Sequence, residues 1–224
     1  MKQEEVMARL ESLADPEGRE GMARFGIATA RALGIRVAEL RRLAREIGPD
    51  HGLAQELWTT RVHEAHILAS MVDEPSAVTE TQMEAWVRAF DSWDVGDQVC
   101  GNLFDKTPYA YEKAVAWSGR EDEFVKRAGF ALMAYLAVHD KEAEDGAFLA
   151  FLPWIEREAA DGRNYGKKAV NWALRQIGKR NRLLNEEAIV AAKRVRSQGS
   201  PPARWIASDA LRELESEAVQ ARLA

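Results

Sequence analysis

The sequence predicts an all-α protein, a solenoid of repeated helix pairs with a basic groove on its concave face. Apolar side chains recur every three to four residues along nearly the whole chain, and no segment shows the convincing alternation of a half-buried strand. Similar segments also return at intervals of 31 to 41 residues, which indicates an internal repeat. We therefore predict one solenoid domain over residues 1–224.

Helix boundaries follow from capping residues, prolines and glycines. Thr107-Pro108 and Ser200-Pro201 each predict an N-cap followed by a proline in the first turn, and Thr79–Gln82 fits a capping box. Gly48-Pro49 and Gly119 predict helix ends. Helices are expected over residues 2–14, 17–31, 37–47, 50–59, 61–72, 79–90, 94–105, 108–118, 121–138, 145–160, 164–180, 185–197, 201–214 and 216–223.

Four segments share a basic or polar start, a small residue and then an apolar helix: RVHEAHILASMV, FVKRAGFALMAYL, YGKKAVNWALRQIG and PARWIASDALREL. Aligned on Ala65, Ala128, Ala169 and Ile206, they are 63, 41 and 37 residues apart, and Gly96 lies midway in the longest gap. This spacing is typical of HEAT-like arrays, in which the second helix of each pair lines the concave face. Chance similarity among short amphipathic helices is the alternative.

Composition limits the class of protein. No apolar run is long enough for a membrane helix and the N-terminus has no signal-peptide pattern, so a cytoplasmic protein without a membrane partner is expected. The single cysteine, Cys100, excludes an internal disulfide and is expected to be buried. His63 and His66 lack a third ligand at metal spacing, and no phosphate-loop or dinucleotide motif occurs, so we expect neither a metal nor a cofactor.

Charge is segregated, although the chain carries a net charge of -5. Residues 162–185 contain seven basic side chains and no acidic one, and residues 31–45 contain five arginines and one acid. Because local charge matters more than the total for partner choice, these segments allow an anionic partner.

One helical stripe combines cations with an indole, since Trp172, Arg175 and Lys179 follow Lys168 by 4, 7 and 11 residues. This pattern favours binding of a phosphate backbone. A solvated basic face, with the indole packed under a neighbouring helix, is the alternative. The predicted DNA-binding set is Lys167, Lys168, Arg175, Lys179 and Arg180.

A second candidate site is the segment SWDVGDQVC, where Trp93 and Asp97 lie one turn apart on one helix face. Arg127 follows in the next repeat, and the small residues Ala131 and Ala134 on its face are expected to leave room for a ligand. For Asp97 alone, pairing with a nearby arginine is the alternative. The remaining tryptophans are expected in the core: Trp58, Trp86, Trp117, Trp154 and Trp205.

From about Arg24 to Leu214 the chain resembles bacterial DNA alkylation repair glycosylases of the AlkD type, which are HEAT-like repeat proteins. The resemblance rests on SWDVGDQVC, FVKRAGFALMAYL and KKAVNWALRQIGKRN in this order and spacing. It departs from members with two adjacent tryptophans, since Ser92 replaces the first, and it is loose over the N-terminal helices.

The resemblance implies lesion-site roles for Trp93, Asp97, Arg127 and Trp172, and a phosphate-binding role for Arg175. It further implies an enzyme that releases cationic alkylpurines from double-stranded DNA without a closed base pocket. A monomer is expected, because a concave DNA-binding solenoid has no need to dimerise. A HEAT-like module that binds DNA structure or protein without catalysis is the second hypothesis, supported by the generic solenoid and the acidic overall charge.

Overall fold

A computed structural model describes residues 1–223, in which the regular secondary structure is helical and no strand occurs. This confirms the all-α prediction. The helices are α1 (Gln3–Ser12), α2 (Pro16–Ala23), α3 (Val37–Ile47), α4 (His51–Thr59), α5 (His63–Val72), α6 (Glu80–Arg88), α7 (Trp93–Asn102), α8 (Ala110–Ser118), α9 (Glu123–His139), α10 (Asp145–Leu149), α11 (Leu152–Glu158), α12 (Asn164–Gly178), α13 (Arg182–Ser197), α14 (Pro201–Leu214) and α15 (Glu217–Leu223), with a 3₁₀ turn at Phe104–Lys106.

The chain forms two compact units, residues 1–107 and the residues from Pro108 onward. In the first unit, α5 packs against α3, α4 and α7 and is buried along almost its whole length. In the second unit, α9 packs against α8 and α12. A side chain on Gly129 of α9 would come within 2.5 Å of the backbone nitrogen of Ser118, so this glycine allows α8 and α9 to approach closely.

Most of the predicted helix ends are confirmed. The hydroxyls of Thr79 and Ser200 accept hydrogen bonds from the third residue after them, and Gly48 ends α3 with a φ of 78°. Only half of the capping box at Thr79 forms, in which the Thr79 hydroxyl accepts from the backbone N–H of Gln82 (3.2 Å). The Gln82 side-chain NH2 group donates to Asp73 (2.6 Å). The predicted cap at Thr107 is wrong, since α8 begins three residues later.

Two predicted helices are wrong in extent. The helix expected over residues 17–31 ends at Ala23, and residues 24–36 form a loop in which Gly26 and Gly34 have positive φ angles. The helix expected over residues 145–160 is broken into α10 and α11, because Pro153 cannot donate a backbone hydrogen bond.

Candidate nucleic-acid interface

Trp93 is the first residue of α7, one position earlier than predicted, and Ser92 is the N-cap. The Ser92 hydroxyl accepts a hydrogen bond from the backbone N–H of Ala28 (3.3 Å), and the Trp93 indole N–H donates to the carbonyl oxygen of Phe25 (3.0 Å). The loop over residues 24–36 therefore holds the start of α7. The half-buried Trp93 ring is oriented by this loop, whose Phe25 side chain is 70% exposed.

Asp97 lies one turn beyond Trp93, and the four-residue spacing places the two side chains on the same helix face. Asp97 is buried, with 9% of its surface exposed. Between them, Gly96 packs under the Phe90 ring, which would meet an added side chain at 3.2 Å. The first unit thus holds a nearly buried carboxylate beside a half-buried indole.

Asp94, on the same helix, pairs with a histidine. Its carboxylate accepts from the Ser92 hydroxyl (2.8 Å) and lies 2.9 Å from Nε2 of His63 on α5. Burial alone would lower the pKa of His63, but the hydrogen bond and charge of Asp94 outweigh it, so this pKa lies above its usual value. The same pairing outweighs burial at Asp94 and lowers the pKa of that carboxyl group. The pair joins α5 to the first turn of α7.

Glu64 organises the loop that holds Trp93. Its side chain is buried (1% exposed) and accepts three backbone hydrogen bonds, from Leu33 (2.8 Å), Gly34 (2.7 Å) and Ile35 (3.2 Å). Three donors converging on one carboxylate offset the cost of burying its charge. The loop is therefore fixed to α5 at one end and to α7 at the other.

Arg127 occupies the second turn of α9 in the second unit and is 7% exposed. Its guanidinium donates to the carbonyl oxygen of Tyr165 on α12 (3.0 Å). The space expected beside it is filled, because Ala131 and Ala134 are both 0% exposed. Small residues on this face serve close packing of α9, and the predicted room for a ligand there is wrong.

The stripe on α12 is largely paired with acids. Lys168 is exposed, and Trp172 is half-buried with its ring edge-on to Tyr135 at 5.0 Å. Arg175 and Lys179, however, both contact Glu213 of α14, at 2.5 and 2.6 Å. Asp209 of α14 approaches Arg175 at 3.7 Å.

These partners stabilise the charged form of Glu213. Burial opposes its charge, but the hydrogen bonds from Lys179 and Arg175 outweigh burial and lower its pKa. Two of the four stripe positions therefore carry a charge that is partly neutralised. Lys168 makes no ion pair within residues 1–223.

The flanking cations of the predicted set have different neighbours. The Lys167 ammonium lies 4.7 Å from the Trp205 ring centre, and Trp205 is 40% exposed, so its predicted core position is wrong. Arg180 donates to two backbone carbonyls of the α9–α10 region and packs on Phe148. Lys179 and Arg180 line a cavity of about 610 Å³ that also contains Lys141 and Arg222.

Several of these residues carry no local sequence signal. Glu213 follows Arg175 by 38 residues, and Lys141 lies in a short connection. One signal was present for Glu213, namely that the repeat places α14 beside α12. Glu64 resembles any acid in the first turn of a helix, so only the folded loop identifies it.

Comparison with known proteins gives a consistent result. The sequence model described as "DNA alkylation repair enzyme" matches residues 6–214. A solved structure matches with a TM-score of 0.81 and 21% sequence identity, covering 100% of this chain and 96% of the other. It is described as "a new family of proteins related to the HEAT-like repeat DNA glycosylases with affinity for branched DNA structures". The predicted HEAT-like fold is thereby confirmed. A search of curated proteins gave no significant match.

Proposed function

The chain belongs to the DNA alkylation repair enzyme family, and from that premise we propose that it is a monofunctional DNA glycosylase. Its proposed substrate is double-stranded DNA that contains N3- or N7-alkylated, positively charged purines. The observation that carries the proposal is the Asp97 carboxylate, nearly buried and one turn from the Trp93 indole. No helix within residues 1–223 is long and apolar enough to cross a bilayer.

The proposed reaction requires few catalytic groups. An N3- or N7-alkylated purine is cationic and leaves without protonation, so no general acid is needed. As the glycosidic bond breaks, positive charge develops on the sugar, as in glycoside hydrolysis. Asp97 would stabilise that charge and orient the attacking water. Because water attacks the sugar, the products are the free base and an abasic site.

Trp93 is proposed to hold the cationic nucleotide by a cation–π contact. Its indole N–H is engaged by Phe25, which fixes the ring. Trp172, in the second unit, is proposed to provide a second indole for such a cation–π contact. Arg127 would stabilise the bound DNA strand, and the phosphates would contact Lys167, Lys168, Arg175, Lys179 and Arg180.

We propose that the enzyme lacks lyase activity. A lyase needs an amine that attacks the sugar. The helix that carries Trp93 and Asp97, α7, contains no lysine, and the Lys106 ammonium that follows it donates to the carbonyl oxygen of Asn102 (2.5 Å). The lysines of α12 are proposed to contact phosphates and not the sugar. Borohydride should therefore trap no covalent complex with lesion DNA.

The test of the proposal is release of free base. The full chain is incubated with duplex DNA containing 7-methylguanine or 3-methyladenine, and the released base is separated and counted. We expect release by the wild type and its loss in Asp97→Asn. No release from any cationic purine would refute the glycosylase proposal.

A second function has its own support. The second hypothesis is a HEAT-like module that binds DNA structure or protein without catalysis, and the structurally similar protein described as having affinity for branched DNA structures supports it. The pairing of Arg175 and Lys179 with Glu213 fits this hypothesis, since it leaves the stripe less basic toward simple duplex. Salt-dependent binding of duplex or branched DNA without base release would favour it. If Ala substitutions at Lys168, Arg175 and Lys179 left binding unchanged, DNA recognition through α12 would be wrong under both hypotheses.

A further inference from the structure

The first unit contains a cavity of about 570 Å³ that the proposed function does not use. Its wall includes Arg31, Trp58, Arg61, His66 and Asp91. This volume is in the range of small-molecule sites, which combine an apolar wall with a few convergent polar groups.

One wall of the cavity is a rigid aromatic stack. The Trp58 ring lies 3.9 Å from that of Trp86, at an interplanar angle of 1°, and 4.0 Å from that of His66, at 15°. Trp86 and His66 are too close to the Trp58 ring centre to lie on the same side of that ring. They therefore stack on its opposite faces and enclose it. Phe90 meets Trp58 edge-on at 6.3 Å. The wall is therefore preformed.

His66 presents a hydrogen-bond acceptor. Its Nε2 lies 2.9 Å from the carbonyl oxygen of Trp58, so this nitrogen carries the hydrogen. Burial lowers the pKa of His66, which keeps the ring neutral near pH 7. In the neutral ring Nδ1 has a free lone pair. Asp91, which is exposed, adds carboxylate oxygens that accept hydrogen bonds.

Two arginines supply the positive charge of the cavity. Arg31 and Arg61 are both exposed, and neither guanidinium has an ion-pair or hydrogen-bond partner within residues 1–223. Arg61 has a φ of 57°, the one positive value for a non-glycine residue in this part of the chain. Left-handed backbone is unfavourable for such a residue and recurs at functional sites. Guanidinium groups bind phosphate with paired hydrogen bonds.

We propose that this cavity binds one unpaired nucleotide, with its phosphate on Arg31 and Arg61 and its base against the Trp58–His66 wall. Asp91 and Nδ1 of His66 would accept hydrogen bonds from N–H groups of the base. The nucleotide is supplied either by a single-stranded extension of bound DNA or as a free nucleotide. A single-stranded extension as the source rests on the proposed function, because it requires that the chain bind DNA.

The test compares two fluorescent duplexes of equal sequence, one blunt and one with a short single-stranded overhang, by anisotropy. In wild type, we expect the overhang to tighten binding about fivefold or more, through charge-assisted contacts to its phosphate. The double variant Arg31→Gln/Arg61→Gln should lose this preference. The matched control Arg41→Gln/Arg45→Gln removes the same charge from exposed arginines of α3 and should keep it.

A second arm titrates deoxycytidine monophosphate into both proteins by calorimetry. The cavity is assigned to free nucleotides if two results are obtained together. Deoxycytidine monophosphate binds the wild type and not Arg31→Gln/Arg61→Gln, and the wild type shows no preference for the overhang duplex. The proposal is overturned if neither ligand shows binding that depends on these two arginines, or if the control loses the preference equally. Base release by the wild type from blunt lesion duplex is measured separately. If only base release fails, the result refutes the proposed glycosylase activity and leaves the proposed nucleotide site intact.

Discussion

Replacing Glu213 by glutamine should tighten duplex binding, because this carboxylate holds two cations of the α12 stripe. The contacts are 2.5 Å to Arg175 and 2.6 Å to Lys179, and the lowered pKa of Glu213 means that it is charged at neutral pH. Glutamine keeps the shape and removes one negative charge beside the place where a phosphate would bind. The side chains are about one-third exposed or less, so the variant should fold, at a cost of about 1 kcal/mol or less.

The magnitude follows from Coulomb's law. For a phosphate about 7 Å from the removed charge, the gain is about 0.6 kcal/mol at the dielectric constant of water and about 2.4 kcal/mol at an effective value of about 20. Since Arg175 and Glu213 are 30% and 29% exposed, solvent screens the interaction and the lower part of this range applies. We therefore expect affinity to rise by about threefold to tenfold.

The assay is duplex binding across a salt series. If the released cations contact additional phosphates, the dependence of log K on log salt should steepen by about 0.9 for each one. The control is Glu215→Gln, which removes the same charge two residues away, from a carboxylate near Lys193 rather than α12. Unchanged or weaker binding by Glu213→Gln, or an equal gain in the control, would refute the assignment of α12 as a phosphate-binding surface.

Two further predictions concern the support of α7. Glu64→Gln should lower the free energy of unfolding by about 2–4 kcal/mol, because the amide can accept fewer of the three converging backbone hydrogen bonds. A urea titration measures this loss, and a value below about 0.5 kcal/mol would contradict this account. The raised pKa of His63 predicts a stabilising contribution that is complete below about pH 6.5 and is lost as pH rises through the folded-state pKa. That slope should disappear in His63→Gln, and an identical pH profile in the variant would exclude the His63–Asp94 pair as its source.

Sequence patterns predicted the helices well where the signal is local. The caps at Thr79 and Ser200 and the end of α3 at Gly48 follow from side-chain chemistry within one turn. Pro153 carried a local signal for the break between α10 and α11, but apolar periodicity across it favoured one long helix. Residues 24–31 were predicted to be helical for the same reason.

What the sequence could not predict depends on contacts between distant residues. The loop over residues 24–36 exists because Glu64 satisfies its backbone, and a buried carboxylate cannot be told from a surface one by spacing alone. The stripe on α12 appeared strongly basic because Glu213 lies 38 residues beyond Arg175. Trp93 and Asp97 could be proposed as a site because their relationship is local to one helix turn. The combined roles of these residues and those of the second unit remain a prediction.

The most direct test of the central claim is the single-turnover rate of base release by Asp97→Asn. The substrate is duplex DNA with a single 7-methylguanine, and the control is Glu74→Gln, an exposed acid of the same unit that loses its charge by the same chemical change. We expect Asp97→Asn to lose at least about tenfold in rate, since stabilisation of a developing charge by one group is worth about that much or more. The control should match wild type. Equal rates for Asp97→Asn and wild type would contradict the proposal that this carboxylate stabilises the cationic sugar.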